Sequence, residues 1–161
     1  MKKTLLSLLF LLSFIYGFGQ HTANVKKTAM AMLKASEQTD YNAYVSYFYP
    51  AEAKFRGGKE KWIQQMKTND RDSKLYGISR GKQALGTRSK IYKAGKELHC
   101  TIESNTRYKS YVNRSHFLAI SGDQGRTWKF IMTGGKTPSD VWAMVPKFNK
   151  DLTWVDFIEE I

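Results

Sequence analysis

Three histidines, one cysteine and fourteen acidic residues are the side chains of this 161-residue chain that could move protons, attack a carbonyl or hold a metal. His21 stands near the N-terminus, while His99 and His116 stand in stretches that alternate apolar and polar residues. His99 and Cys100 are adjacent, so on a strand they point to opposite faces and cannot share one metal. No Cys-x-x-Cys or His-Glu-x-x-His spacing occurs, so no metal site is expected and no cofactor is implied. His99 and Glu103 fall on one face of a strand, but four residues of extended chain separate them by about 13 Å. That is too far for a direct dyad. His99 is then either an acid–base group, acting alone or with a group from a neighbouring strand, or simply a surface or pocket-rim histidine. His116 alternates with Leu118 and Ile120, which predicts a partly buried, hydrogen-bonded ring and makes it a second acid–base candidate. Asp40 is the third, and its place before an apolar-periodic stretch also suits a helix N-cap. Cys100 alternates with Leu98 and Ile102 and is expected to be buried. No G-x-S-x-G elbow, P-loop or dinucleotide fingerprint is present, so no catalytic constellation is complete.

Two further groups of residues carry physical meaning. Ser121-Gly122-Asp123-Gln124-Gly125-Arg126-Thr127-Trp128 fits the pattern S-x-D-x-G-x-T-W found on sialidase-type propellers. A propeller repeats its unit every ~40–50 residues, and this chain holds one copy. Ser121, Asp123, Gly125, Thr127 and Trp128 are therefore expected to form a structural turn. The two polar side chains bond the backbone, Gly125 takes a positive φ, and the indole packs beneath. The second group is aromatic. Tyr41, Tyr44, Val45 and Phe48 share one helical face. They are core if the face is packed. If it opens on a cavity, Tyr41, Tyr44 and Phe48, with Trp62 and His99, would line a site for a small amphipathic ligand.

The elements that must position these residues begin after an export signal. Met1-Lys2-Lys3 is a positive start, Thr4–Tyr16 is predominantly apolar, and Gly17 and Gly19 place small residues before Gln20. That order predicts a cleaved signal peptide, residues 1–19, and a periplasmic or secreted protein. The apolar run is about a dozen residues, whereas a spanning helix needs about 20, so no membrane span is expected after cleavage. The remaining 20–161 suit one domain. A lone cysteine excludes an intramolecular disulfide, so the apolar core alone must hold the exported chain together. The formal charge of +12 falls to +10 without Lys2 and Lys3. Such a charge draws polyanions and favours solubility. The cations are scattered and no nucleic-acid motif is present, so nucleic acid is not an expected partner.

Periodicity predicts helices over Thr22–Gln38, from Asp40 to a stop at Pro50, and over Lys59–Lys67 with Trp62, Ile63 and Met66 inward. The period then shortens. Strands are expected over Lys74–Gly81, Thr87–Tyr92, Glu97–Thr106, Ser115–Ser121 and Thr127–Thr133, with turns at Lys93–Lys96 and Gly122–Gly125. A short helix over Ser139–Val145 ends at Pro146, and the tail Leu152–Ile161 packs back. The fold class is α+β, N-terminal helices on a curved antiparallel sheet.

The order of several segments resembles the cystatin-like, nuclear-transport-factor-two-like superfamily, and within it small exported proteins of Bacteroidetes type. The segments are Asp40-Tyr41 with Tyr47-Phe48-Tyr49-Pro50, Gly57-Gly58-Lys59-Glu60, Glu97-Leu98-His99-Cys100, Leu118-Ala119-Ile120-Ser121 and Gly125–Ile131. The resemblance implies a cone-shaped fold, a helix-lined pocket and a homodimer across the sheet. It implies no single activity, since such folds serve isomerases, dehydratases, cyclases and pure binding modules. Three functions follow as expectations. The first is an exported binding or interaction module for a small molecule, or for an extracytoplasmic protein or glycan. The second is a pocket enzyme of isomerase, dehydratase or hydrolase type using His99, His116 or Asp40. The third is a basic adhesion protein that binds anionic glycans.

Overall fold

The computed structural model describes residues 23–161, and the predicted signal peptide and His21 lie outside the described residues. Helix α1 (23–37) buries Val25, Ala29, Met32 and Leu33, the one-sided spacing that predicted it. It ends where Thr39 takes φ 56°. Asp40 then caps α2 (Tyr41–Ser46) by accepting the Ala43 amide at 3.0 Å. The chain leaves α2 before Phe48, which forms a parallel bridge with Phe130. Pro50 opens α3 (Pro50–Phe55) rather than simply ending its predecessor, as a ring without an N–H suits the first turn.

The largest departure from the predicted elements follows. Helix α4 runs over Lys59–Leu75, and the predicted strand Lys74–Gly81 does not form. Trp62 and Ile63 are buried, but Lys67–Lys74 is wholly polar, so the apolar period that marks a helix disappears halfway along it. The helix closes with Ile78 donating to Ser73 at 2.8 Å and Gly77 to Lys74 at 3.3 Å, Gly77 standing at φ 66°.

Six antiparallel strands follow: β1 (Lys82–Arg88), β2 (Tyr92–Ala94), β3 (Glu97–Arg107), β4 (Tyr111–Ser121), β5 (Lys129–Met132) and, at the chain's end, β6 (Phe157–Glu160). The order is β1-β3-β4-β5, with β2 also on β3 and β6 also on β4. The β2–β3 hairpin turns at Gly95, φ 66°, as its sequence predicts. The predicted strand Thr87–Tyr92 is instead split between the end of β1 and the start of β2. A bulge between Leu85 and Arg88 shifts β1 against β3. Helix α5 (Pro138–Met144) lies between β5 and β6 and carries a reciprocal Thr137–Asp140 capping box.

Alternation along the long strands sorts two cores. Cys100, Ile102, Phe117, Ala119 and Phe130 face α1, α2 and α4. Leu118, Ile120 and Ile131 face α5 and Leu152, with Phe148 and Trp154 at the margin. The protein is thus α+β with its N-terminal helices on an antiparallel sheet. The tail covers part of the opposite face. No helix among the described residues is long and apolar enough to cross a membrane.

Candidate functional site

The aromatic residues singled out as pocket lining are packed inside the helix-side core. Tyr41 and Tyr44 are 8% exposed, Phe48 and Trp62 4%. Tyr44, Phe48, Trp62, Phe117 and Phe130 form a chain of edge-to-face contacts, the Phe48–Trp62 centroids 4.9 Å apart. Burial pushes the Tyr44 phenol up to about 12. The Tyr41 hydroxyl accepts from Arg80 at 3.1 Å. Asp40 is exposed and occupied as an N-cap.

His99 is fully buried, which corrects its reading as a surface or rim residue. It points into the second core, 6.1 Å from the ring of Phe148. Its Nε2 lies 3.2 Å from Glu97, whose other oxygen accepts from Tyr49 at 3.4 Å. Its Nδ1 has no partner among the described residues. Burial holds its pKa below 6.5, with Glu97 working the other way. Cys100, on the opposite face, is fully buried as predicted, and burial pushes its thiol up to about 12.

An open polar cleft lies on the second sheet face, between β3, β4 and β6. It encloses about 340 Å³ and is lined by Glu103, Asn105, Arg114, Ser115, His116, Phe157 and Glu159. Register explains the assembly. Glu103 stands opposite His116 and Asn105 opposite Arg114 across β3 and β4, and Arg114 pairs with Phe157 of β6. Arg114 Nε donates to Glu159 at 2.7 Å, and its guanidinium lies 5.9 Å from the Phe157 ring. His116 Nδ1 sits 3.0 Å from Asp156, which also accepts from the Thr133 hydroxyl at 3.1 Å. An ionised carboxylate only accepts, so the Nδ1 facing Asp156 carries the proton. Nε2 has no hydrogen-bond partner among the described residues and faces the cleft. Sequence reasoning found His116 but missed Asp156, Arg114, Phe157 and Glu159. Asp156 lies forty residues further on, and no local spacing marks the pair.

A second charged cluster centres on a buried carboxylate and reaches solvent only through Arg56. Glu52 is fully buried on α3 and accepts from Lys136 at 2.9 Å and Arg56 at 3.1 Å through the same oxygen. The other oxygen has no partner among the described residues. The Lys136 side chain is 1% exposed, and burial draws its pKa down while Glu52 opposes. This arrangement ties the β5–α5 loop to α3.

The turn at Ser121–Trp128 follows its predicted chemistry. Asp123 accepts from Ser121 at 2.8 Å, from the Thr127 amide at 2.9 Å and from the Thr127 hydroxyl at 2.6 Å. Gly125, at φ 83°, donates to the Ser121 oxygen, and its carbonyl accepts from the buried Trp128 indole at 3.2 Å. Desolvation opposes the charge on Asp123, but hydrogen bonds from Thr127, Ser121 and Arg126 together lower its pKa to about 2. Asn24 of α1 donates to the same Gly125 carbonyl at 3.3 Å, fastening the first helix to the turn. The side chains of Ser121, Asp123, Thr127 and Trp128 thus all bond within the turn, while Gln124 and Arg126 are exposed. No family model matches the chain, and neither a curated protein nor a solved structure does.

Proposed function

We propose that the protein works outside the cytoplasm as a small binding module, with the cleft between β3, β4 and β6 as its ligand site. One contrast carries this reading. The helix-side aromatics fill their own core, whereas ionisable and hydrogen-bonding side chains converge on open space on the other face. A cleft of about 340 Å³ stands at the small end of ligand sites, and its lining selects a small polar molecule rather than a large apolar one. The Phe157 ring supplies one apolar wall, while Glu103, Asn105 and the Arg114–Glu159 pair supply acceptors and donors. The likeness to exported cystatin-like proteins agrees with helices that precede the sheet, and the N-terminal charge pattern supports export. Native mass spectrometry of the protein recovered from its own host tests the site. A retained small molecule that is lost in Glu103→Ala and kept in Tyr41→Phe supports the cleft. A ligand-free mass, or loss in Tyr41→Phe alone, refutes it.

The His116–Asp156 contact favours a second reading, acid–base chemistry on the bound molecule. A carboxylate that fixes Nδ1–H leaves Nε2 able to accept a proton from a ligand in the cleft. His116→Gln separates the two readings. A substrate that accumulates on the variant and is converted by the parent protein establishes chemistry. The same unchanged molecule recovered from both leaves a binding module.

A further inference from the structure

Three of the most exposed large apolar side chains fall within four residues. Leu75 is 75% exposed, Tyr76 74% and Ile78 60%. They sit at the end of α4 and in the turn after it. Displaying such residues is unfavourable unless something covers them. The turn holds them in fixed positions. Its closing hydrogen bonds set Ile78 two residues beyond the cap, where an apolar side chain normally packs on the residue five before it. Here that residue is Ser73, so Ile78 has no such seat. Arg80 then pins the far side of the turn, donating to the Ser36 carbonyl at 3.0 Å and pairing with Asp70 at 2.8 Å.

The surroundings are cationic. Lys74 and Lys82 flank the turn and are exposed. Gly81 lies against the side chains of Thr106 and Tyr108, which brings the β3–β4 turn alongside with exposed Arg107 and Lys109. Lys82, Arg107 and Lys109 have no salt-bridge partner among the described residues, and Lys74 reaches Asp70 only at 3.8 Å. The acids of the helix end, Asp70 and Asp72, are paired with Arg80 and Arg71, while Glu160 stands opposite Tyr111 and Ile161 donates to the Ser110 carbonyl at 3.1 Å, which places acidic groups on one side of the β3–β4 turn. Protein interfaces deplete lysine at their centres, whereas amphipathic membrane-surface segments pair bulky apolar residues with Lys and Arg.

We propose that this end of the protein is a docking surface for an anionic phospholipid bilayer. Leu75, Tyr76 and Ile78 enter the interfacial layer, and Lys74, Lys82, Arg107 and Lys109 sit over the headgroups. The surface shares no residue with the cleft, so a ligand site and a membrane contact can operate together.

The test uses the full chain with Ile78→Cys labelled by an environment-sensitive fluorophore; buried Cys100 does not compete for the label. Vesicles of phosphatidylglycerol and phosphatidylcholine in equal parts should shift the emission to the blue. Pure phosphatidylcholine vesicles should not, and added salt should reverse the shift. A label at Gln65→Cys, exposed and about 15 Å back along α4, should stay unchanged. In the labelled chain, Leu75→Ser with Tyr76→Ser, or Lys82→Glu with Lys109→Glu, should each weaken vesicle binding about tenfold or more. All four residues are exposed, so folding is not at stake. The proposal is overturned if anionic vesicles produce no shift, if neutral vesicles produce the same shift, or if Gln65→Cys responds equally. A shift that grows with protein concentration without vesicles overturns it in favour of a second copy of the chain.

Discussion

Replacing Lys136 with methionine is expected to cost about 3 kcal/mol of stability, more than a typical point substitution. The reasoning starts from Glu52, fully buried, whose one bonded oxygen takes both Lys136 and Arg56. Removing one member of a buried pair strands the other charge and costs about 3–5 kcal/mol. Arg56 stays in place, but its side chain is 31% exposed and solvent screens it, so the lower end of that range applies. The Met132 carbonyl also loses a donor at 2.8 Å. At about 3 °C per kcal/mol for a domain of this size, the midpoint should fall by roughly 10 °C. Urea unfolding followed by tryptophan fluorescence measures the change, provided the m-value holds. Glu52→Leu alone should cost a similar amount, because it leaves the Lys136 ammonium buried without its carboxylate. The double substitution should recover to within about 1 kcal/mol of the parent, since apolar pairs of similar volume replace buried ion pairs at little loss. Single effects below about 1 kcal/mol, or a double effect equal to the sum of the singles, would refute the reasoning.

Three other outcomes are expected. Asp123→Ala should loosen the Ser121–Trp128 turn and cost about 1 kcal/mol, a modest figure because the carboxylate is partly solvated; faster hydrogen exchange at Gly125 reports it, and unchanged exchange speaks against the turn's role. In the parent chain that carboxylate's contribution is complete above pH 3.8 and is lost as the pH falls through about 2. His99 is held neutral by burial, so the unfolded chain takes up a proton that the folded chain resists. Stability from this group is whole above pH 6.5 and falls as the pH drops below it, by at most about 1.4 kcal/mol per pH unit. His99→Gln should flatten that slope in unfolding curves taken between pH 7.5 and 5, and an unaltered slope would contradict it. Cys100, buried with its thiol pushed up to about 12, should ignore thiol reagents until the protein is unfolded; rapid labelling of the folded protein would show the burial to be wrong.

Where sequence and structure agree, the signal was local. Tyr41, Tyr44 and Val45 are three and four residues apart, so one helical face collects them whatever they pack against. Asp40 caps its helix and Gly95 turns its hairpin through atoms within a few residues. Where they part, the cause is distant. Pro50 can end or begin a helix, and the bridge from Phe48 to Phe130 leaves it at a beginning. Nothing in Lys67–Lys74 marks an inner face, because that half of α4 has none to bury. His99 was misread as a rim residue because alternation reveals a shared face but not the presence of Phe148 and the tail above it.

The sequence by itself determined the α+β order of elements, the burial of Cys100 and the bonding of the Ser121–Trp128 turn. Each depends on period or on atoms within one turn of chain, and such interactions form wherever the segment sits. Only the tertiary structure decided that the aromatic face is filled, that Glu52 meets Lys136 across 84 residues, and that His116 finds Asp156 across 40. Those pairings depend on strand register and on where the tail returns to the sheet. A side chain's neighbours across a sheet come from the whole packing, which no window of sequence contains.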